Sequence, residues 1–290
     1  MCGVCGCSDG AVRVTDPETG EAAVVEGRGT PGHSHDHHQG HDHHHHHHDH
    51  THDHDLENLH HHHDHGAATV SLEADILAKN NRLAERNRGW FAGRNILALN
   101  LVSSPGAGKT SLLERTIRDL RTEMPISVVE GDQETLHDAE RIRATGCRVV
   151  QINTGTACHL EADMLARGLE TLQPEPDSLL MIENVGNLVC PALFDLGEHA
   201  KVAILSVTEG EDKPLKYPHM FKASDLMILN KIDLLPHVPF DVARCLDYAR
   251  QVNPEIEVFQ VSALTGEGLE RWYAWLRAQL GAEPAGLLAS

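Results

Sequence analysis

The sequence has no long apolar run and no recognisable export signal. Its apolar runs stay below the roughly 18 residues that a membrane-spanning helix needs, so we expect no membrane insertion. The N-terminus is rich in Cys and Gly rather than basic and then apolar, which argues against a secretory signal. We therefore expect a cytoplasmic protein. Its cysteines would be reduced there, so that clusters of them indicate metal binding before disulfides.

Basic side chains are also scarce. The 24 Lys and Arg residues face 43 Asp and Glu residues, which makes the net charge −19 with neutral His. Seven of the acids lie in a His-rich tract at residues 33–65 that has no Lys or Arg, and removing them from −19 still leaves −12. A chain of that sign repels the phosphate backbone, so we expect no nucleic-acid partner.

The segment 97–113 reads as an apolar strand, a glycine-containing turn and the start of a helix, the context in which Gly-Lys-Thr predicts a P-loop. Its glycines let successive backbone N–H groups point at phosphate oxygens. Lys109 is expected to reach the β- and γ-phosphates, and the Thr110 hydroxyl to bind Mg²⁺. Ser103 replaces the first glycine of the motif, which the turn tolerates if φ stays negative. The predicted phosphate-binding residues are Ser104, Gly106, Ala107, Gly108, Lys109, Thr110 and Ser111.

A second apolar strand ends in Asn-Lys-x-Asp, which predicts guanine as the base. The Asp233 carboxylate can accept from N1–H and N2–H₂ of guanine, whereas adenine would leave it desolvated and unpaired. Asn230 and Lys231 are expected to brace the loop and cover the base. After a further strand, Ser262 and Ala263 are predicted to bring a backbone N–H to the guanine O6. Together these features favour GTP over ATP.

Two more strands end in acidic residues that we assign to the Mg²⁺ shell. Asp132 closes one strand, and Glu183 stands at the Walker B position of an E-x-x-G segment. Capping of a following helix is the alternative role for both carboxylates. The Gly186 N–H is expected to sense the γ-phosphate. We assign Lys109, Thr110 and Asp132 to catalysis, with Asp132 as the candidate for orienting water. Lys213 and Lys216 could reach a partner subunit's nucleotide, but we interpret them as solvated loop lysines.

Apolar strands alternate with helical stretches over residues 95–280, which predicts an α/β P-loop NTPase with a doubly wound, mainly parallel sheet. A disordered Cys- and His-rich extension precedes it. The predicted organisation is an N-terminal Cys-triad metal-binding segment at 1–32, a disordered His-rich metal-binding tract at 33–66, a helical lead-in at 67–94 and a GTPase domain at 95–290.

The His-rich tract contains 19 of the 24 histidines. Such a segment cannot form an apolar core, and its imidazoles suit Ni²⁺, Zn²⁺, Co²⁺ and Cu²⁺. The run is internal and interrupted by Asp, which argues against a purification tag. We therefore interpret it as a metal buffer.

Three cysteines at the N-terminus, Cys2, Cys5 and Cys7, can close on one ion. With the α-amino group as a fourth ligand, a square-planar arrangement would suit Ni²⁺ and a tetrahedral one Zn²⁺. A redox pair is the alternative, but no βαβ frame surrounds it.

A further metal candidate lies inside the GTPase domain. Cys158 and His159 are expected to open a helix over 159–169, and Cys190 follows the Glu183 strand. Adjacent helical residues point about 100° apart, so one chain alone would hold an ion poorly and two copies across a two-fold axis would hold it better. Ordinary buried residues are the alternative interpretation at this point.

The motifs together resemble those of the hydrogenase nickel-incorporation GTPases, the HypB family. The resemblance runs nearly end to end, from the Cys triad and the His-rich insert through the P-loop, Glu130-Gly131-Asp132, Thr156-Ala157-Cys158-His159 and the segment 183–191 to Asn-Lys-Ile-Asp. It implies GTP-dependent delivery of Ni²⁺ to the large-subunit precursor of NiFe hydrogenase, with a HypA-type metallochaperone as partner. It also implies homodimerisation linked to nucleotide and metal, and two metal sites. These are the Cys triad and a weaker site at Cys158, His159 and Cys190, where Zn²⁺ is also possible.

Two rival functions share part of this pattern. A urease-type nickel GTPase typically carries Cys-Pro-His, whereas Ala192 follows Cys190-Pro191 here. A nickel storage protein with an idle nucleotide domain would bind metal without hydrolysis, but Lys109, Thr110 and Asp233 are all intact. Storage is therefore expected as an additional role of the His-rich tract.

Overall fold

The computed structural model describes residues 12–15, 22–25, 65–132, 137–155 and 157–281. In this part of the chain a nine-stranded sheet runs in the order β2-β1-β5-β4-β6-β3-β7-β8-β9. The strands are β1 (Val12–Thr15), β2 (Ala22–Val25), β3 (Leu97–Ser103), β4 (Ile126–Asp132), β5 (Arg148–Asn153), β6 (Leu179–Glu183), β7 (Ala200–Ser206), β8 (Leu226–Asn230) and β9 (Glu257–Gln260).

Helices connect the strands and cover both faces of the sheet. The longest is α1, which precedes the parallel sheet. The helices are α1 (His65–Ala92), α2 (Lys109–Leu120), α3 (His137–Arg143), α4 (Ala162–Leu172), α5 (Cys190–Leu193), α6 (Lys213–Lys216), α7 (Pro218–Lys222), α8 (Val242–Val252) and α9 (Leu269–Gly281), with a 3₁₀ turn at Ile232–His237.

The seven strands from β3 to β9 are parallel, whereas β1 pairs antiparallel with both β2 and β5. The carboxyl ends of parallel strands meet at one edge of a sheet, and open α/β sheets bind their ligands there. The order confirms the predicted doubly wound, mainly parallel sheet. The β1–β2 hairpin was not predicted from the sequence.

The strands β3, β6, β7 and β8 are buried along their whole length because helices cover both faces of the sheet there, as parallel sheets require. Along β3, Leu99 and Leu101 pack with α2 and α9 on one face, while Ala98 packs with α4 and the end of α1 on the other. Successive side chains of a strand point to opposite faces, so one apolar run supplies both cores. The central strand is therefore held rigidly where it enters the P-loop.

The helix α1 is tied to the rest of the domain by buried amides. The Asn87 side chain donates to the carbonyl oxygens of Ala162 at 2.9 Å and Leu196 at 3.0 Å. Gly197 has φ +85°, and a Cβ there would lie 2.3 Å from the Ala84 carbonyl oxygen. The helix therefore packs backbone to backbone on the loop that precedes β7.

One element differs from its prediction. We expected a helix over 159–169, but α4 begins at Ala162, and Cys158 and His159 lie in the loop before it. No helix in the described residues is long and apolar enough to cross a membrane, in agreement with the sequence.

Candidate nucleotide and metal sites

The P-loop joins the end of β3 to the start of α2. Gly106 and Gly108 have φ values of +78° and +93°, which glycine adopts without strain. A Cβ at Gly108 would lie 2.6 Å from the Asn230 amide nitrogen, so the turn also needs glycine for space. Ser103 is absent from the described non-glycine residues with positive φ, which confirms that a side chain fits at this position.

The two lysines at the loop bond to its hydroxyl groups. Lys109 is buried and its ammonium donates to the Ser103 hydroxyl at 3.1 Å. The Lys213 ammonium donates to the Ser104 hydroxyl at 3.4 Å and lies 3.6 Å from the Glu209 carboxylate. The interpretation of Lys213 as a solvated lysine is therefore wrong, because it lies beside the P-loop of its own chain. Lys216 is exposed and pairs with Asp212 at 2.7 Å.

A buried carboxylate lies against the predicted Mg²⁺ ligand. The Thr110 hydroxyl donates to Glu183 Oε1 at 2.8 Å, and Glu183 Oε2 has no hydrogen-bond partner. Burial raises the pKa of Glu183 to about 7, while the positive Lys109 and the Thr110 hydroxyl act in the opposite direction. The two side chains therefore lie within hydrogen-bond distance of each other, and their shared role in binding Mg²⁺ stays a prediction.

Sequence reasoning did not assign a role to Glu130, which pairs in register with Glu183 on the neighbouring strand. Burial and then the Glu183 charge raise its pKa to about 9, and its Oε2 atom has no hydrogen-bond partner. A carboxyl group within an otherwise apolar strand was the available signal. The nucleotide edge therefore holds two adjacent buried acids.

Asp132 ends β4 two residues beyond Glu130 and is half-buried. Its carbonyl oxygen accepts from the Thr154 N–H at 2.9 Å. Ser111, on the first turn of α2, accepts from the Arg141 guanidinium at 3.3 Å. Residues 133–136 lie outside the described residues, so the roles of Asp132 in Mg²⁺ binding and in orienting water stay predictions.

The guanine motif is linked to the P-loop. The Asn230 amide donates to the Ala107 carbonyl oxygen at 3.0 Å, and the Lys231 ammonium donates to the Gly106 carbonyl oxygen at 2.6 Å. Both side chains therefore join the loop after β8 to the phosphate loop, at the position where we expected bracing residues.

The predicted base-recognition residues lie together. The Ser262 hydroxyl donates to Asp233 Oδ1 at 2.5 Å, which orients the half-buried carboxylate. The Ala263 N–H donates to Asn230 Oδ1 at 3.2 Å, so the loop after β9 is tied to the one after β8. Recognition of the guanine O6 by a backbone N–H of this loop stays a prediction.

Cys158, His159 and Cys190 come together within one chain. One ligand atom from each lies within 4.8 Å of the others. Cys158 Sγ lies 2.8 Å from Cys190 Sγ and 3.7 Å from His159 Nδ1. The helix on which we based the two-chain expectation is absent here, because Cys158 and His159 lie in a loop; whether one chain or two hold the ion stays a prediction.

The donor set fits a borderline divalent metal ion. His159 is buried, and its Nε2 atom has no hydrogen-bond partner. Burial lowers the pKa of His159 to about 4, so the imidazole is neutral at physiological pH, as a metal ligand must be. Two sulfur atoms and one imidazole nitrogen are the donors that Zn²⁺ and Ni²⁺ accept.

A buried polar network holds the two loops of this cluster. Asn184 Oδ1 accepts from the Leu160 N–H at 3.1 Å, next to His159. The Lys201 ammonium donates to the Pro191 carbonyl oxygen at 2.9 Å, next to Cys190. Further members link these ends inside the fold: the Asn184 amide donates to Asn100 Oδ1, the Asn100 amide donates to Glu198 Oε1, and Glu198 lies 3.6 Å from Lys201.

The metal cluster and the nucleotide site meet at β6. Glu183 accepts from Thr110 of the P-loop, while the next residue, Asn184, holds the loop of His159. Gly186 then packs on the P-loop, where a Cβ would lie 3.1 Å from Pro105. The other predicted metal ligands, Cys2, Cys5 and Cys7, and the His-rich tract at 33–64 lie outside the described residues.

Comparison with known proteins agrees with this arrangement. The family described as "CobW/HypB/UreG, nucleotide-binding domain" matches residues 97–260. "Hydrogenase maturation factor HypB" of Escherichia coli is 60% identical over 210 residues, which cover 72% of each chain. The crystal structure of hydrogenase maturation factor HypB from Archaeoglobus fulgidus has a TM-score of 0.66 and 41% identity, covering 70% of this chain and 100% of that one. The crystal structure of HypB from Helicobacter pylori in complex with nickel has a TM-score of 0.66 and 37% identity. The match covers 70% of this chain and 95% of that one.

Proposed function

Because the chain belongs to the HypB hydrogenase maturation factors, we propose that it couples GTP hydrolysis to delivery of Ni²⁺ to the hydrogenase large-subunit precursor. It is a nickel-related GTPase of hydrogenase maturation. The observation that carries the coupling is the adjacency of Glu183 and Asn184, one bonded to the P-loop and the other to the loop of the Cys158, His159 and Cys190 cluster.

In the proposed mechanism the protein positions phosphate groups and neutralises their charge. Lys109, which contacts Ser103, would meet the β- and γ-phosphates, and Thr110, Asp132 and Glu183 would hold Mg²⁺, which would neutralise phosphate charge. Asp132 is proposed to orient the attacking water. The Asp233 carboxylate, held by Ser262, selects guanine.

Ni²⁺ is proposed as cargo at two places, the Cys triad and the Cys158, His159 and Cys190 cluster. The cluster also suits Zn²⁺. The His-rich tract would add a storage role. An idle nucleotide domain is disfavoured, because the residues that would hold phosphate and base are intact and connected to one another.

We propose a nucleotide- and metal-linked homodimer, a HypA-type metallochaperone as partner and a cytoplasmic location. Val189 and Leu193 flank Cys190 and are 50% and 53% exposed, which supports a second protein surface covering the cluster.

The test measures Ni²⁺ transfer from the loaded full chain to a large-subunit precursor with GTP, GDP or a non-hydrolysable GTP analogue. Transfer should be fastest with GTP, and Lys109→Ala should remove that advantage because the phosphates lose their charge partner. Cys190→Ala should reduce transfer, whereas the matched variant Cys245→Ala, a buried thiol outside the cluster, should not. Equal transfer with all three nucleotides would contradict coupled delivery.

A further inference from the structure

We infer that His159 binds its metal ion through Nδ1 and that Glu161 positions the ring by accepting a hydrogen bond from Nε2–H. Glu161 thus has the role of a positioning residue outside the ligand set. The inference rests on the proposal that Cys158, His159 and Cys190 form a metal site.

The His159 ring is held by a neighbouring aromatic side chain. Phe194 stacks on it, with ring centroids 3.9 Å apart and planes at 33°. That contact covers one face, and the ring nitrogens meet their partners in the ring plane. One ring nitrogen therefore faces the thiols, and the other points away from them, where it needs a separate hydrogen-bond partner.

The distances assign the two nitrogens. His159 Nδ1 lies 3.7 Å from Cys158 Sγ. Bond lengths of about 2.3 Å to sulfur and 2.0–2.1 Å to nitrogen place those atoms about 3.6 Å apart in a tetrahedral site. Nδ1 and Cys158 are therefore already spaced as two ligands of one ion. The two sulfur atoms, at 2.8 Å, would have to move apart by about 1 Å in that geometry.

The other nitrogen faces a carboxylate. His159 Nε2 is buried and has no hydrogen-bond partner, and Glu161 Oε1 lies 3.8 Å from it. A movement of about 1 Å would bring the pair to hydrogen-bond distance. Metal-bound imidazoles usually donate their second N–H to a carboxylate or carbonyl oxygen, which fixes the tautomer and makes the ligand more basic. Glu161 precedes α4, whose Ala162 backbone is held by Asn80 and Asn87 of α1, so its backbone position is well defined.

The experiment uses the full chain with Cys2, Cys5 and Cys7 replaced by Ser, and Co²⁺ as the probe. Thiolate-to-cobalt charge transfer then reports the Cys158 and Cys190 site, because imidazoles of the His-rich tract give no sulfur band. Affinity is measured by competition with a chelator. Glu161→Ala should weaken the site 10- to 100-fold. Glu161→Gln keeps an acceptor oxygen and should recover most of that loss.

The matched control is Asp163→Ala, which removes the nearby carboxylate that pairs with Arg167. It should leave the cobalt affinity unchanged. A Glu161→Ala affinity within twofold of the parent, or equal losses for Ala and Gln, would overturn the inference. A parent without any sulfur band would overturn the proposed metal site, and this inference with it.

The tautomer is read directly from ¹⁵N-histidine spectra of the zinc-loaded protein, with the His159 signals identified by their loss in His159→Ala. The expected pattern is a metal-bound Nδ1 and a protonated Nε2. Zinc on Nε2 would overturn the assignment even if the affinities behaved as expected.

Discussion

At the scale of single residues, the nucleotide edge depends on carboxyl groups held in different environments. Asp233 is half-buried and oriented by the Ser262 hydroxyl. Glu130 and Glu183 are buried side by side, and burial raises the pKa of both. Burial favours the protonated form of Glu130 and Glu183, and a nearby cation would favour the charged form.

Replacing Asp233 tests base selection. In Asp233→Asn the new amide can donate to the C2 oxygen of xanthine but cannot accept two hydrogen bonds from guanine. GTP affinity should fall by about 2–3 kcal/mol and preference should shift toward xanthosine triphosphate. Equilibrium binding of both nucleotides measures this, and an unchanged GTP affinity would remove Asp233 from the base site.

The raised pKa of Glu130 predicts that the stability of the fold depends on pH. Its pKa rises from an ordinary 4.5 to about 9 on folding. The folded state therefore holds a proton that the unfolded chain releases, and stability falls as pH rises from about 4.5 through about 9. Without nucleotide or Mg²⁺, Glu130→Gln should stabilise the protein at pH 7.5 by on the order of 2 kcal/mol. Chemical unfolding at several pH values tests this, with the exposed Glu140→Gln as control. An unaltered pH profile in Glu130→Gln would refute it.

At the scale of elements, α1 holds both segments of the Cys158, His159 and Cys190 cluster by hydrogen bonds. Asn80 bonds to both the Ala162 N–H and the Asp195 carbonyl oxygen, and Asn87 to the carbonyl oxygens of Ala162 and Leu196. One helix thus fixes the chain after His159 and the chain after Cys190. The helix that we predicted as a lead-in at 67–94 therefore helps to position the cluster.

Asn87→Ala should destabilise the protein by about 1–3 kcal/mol, since two buried carbonyl oxygens lose their donor. Metal affinity at the Cys158, His159 and Cys190 cluster should fall as well. Urea unfolding and chelator competition measure the two effects. Asn81→Ala changes an exposed amide of the same helix and should lower neither the stability nor the metal affinity. Equal stability of the two variants would show that α1 does not hold these loops.

At the scale of the whole molecule, the sheet joins the nucleotide site to the Cys158, His159 and Cys190 cluster, and the chain before α1 contains the other predicted metal ligands. At the end of β6, Glu183 bonds to the P-loop and the next residue, Asn184, bonds to the loop of His159, so two adjacent residues connect the two sites. A movement of Glu183 on Mg²⁺ binding would be passed through Asn184 to the loop of His159.

Deleting residues 33–64 should reduce the Ni²⁺ stoichiometry from several ions to one or two and leave GTP turnover nearly unchanged. The deletion ends before α1 and spares every described element. Metal analysis after dialysis and steady-state GTP hydrolysis measure the two quantities. A large loss of turnover would contradict a separate storage tract.

Nucleotide state should change metal affinity at the cluster by 5- to 150-fold, or about 1–3 kcal/mol, and metal should change nucleotide affinity by the same factor. The measurement compares Ni²⁺ affinity with GDP and with a non-hydrolysable GTP analogue. It uses a chain without residues 33–64 and with Cys2, Cys5 and Cys7 replaced by Ser, which keeps the β1 strand.

Cys158→Ala and Cys190→Ala should each abolish the coupling while GTP still binds. Equal Ni²⁺ affinities in both nucleotide states, at concentrations where a dimer would be complete, would rule out the switch.

The sequence by itself determined the local features of this protein. A P-loop and an Asn-Lys-x-Asp turn are short, so their residue types and spacing specify the backbone they need, and apolar strands alternating with helices specify the parallel sheet. Only the tertiary structure decided the contacts between distant segments. It placed Lys213 beside Ser104, made the metal cluster from loops 32 residues apart, and moved the start of α4 to Ala162. The sequence predicted an earlier start, but it carries no information about the hydrogen bonds that Asn184 accepts from the Leu160 N–H and Asn80 from the Ala162 N–H. Those bonds depend on packing between elements, and a one-dimensional pattern does not record that packing.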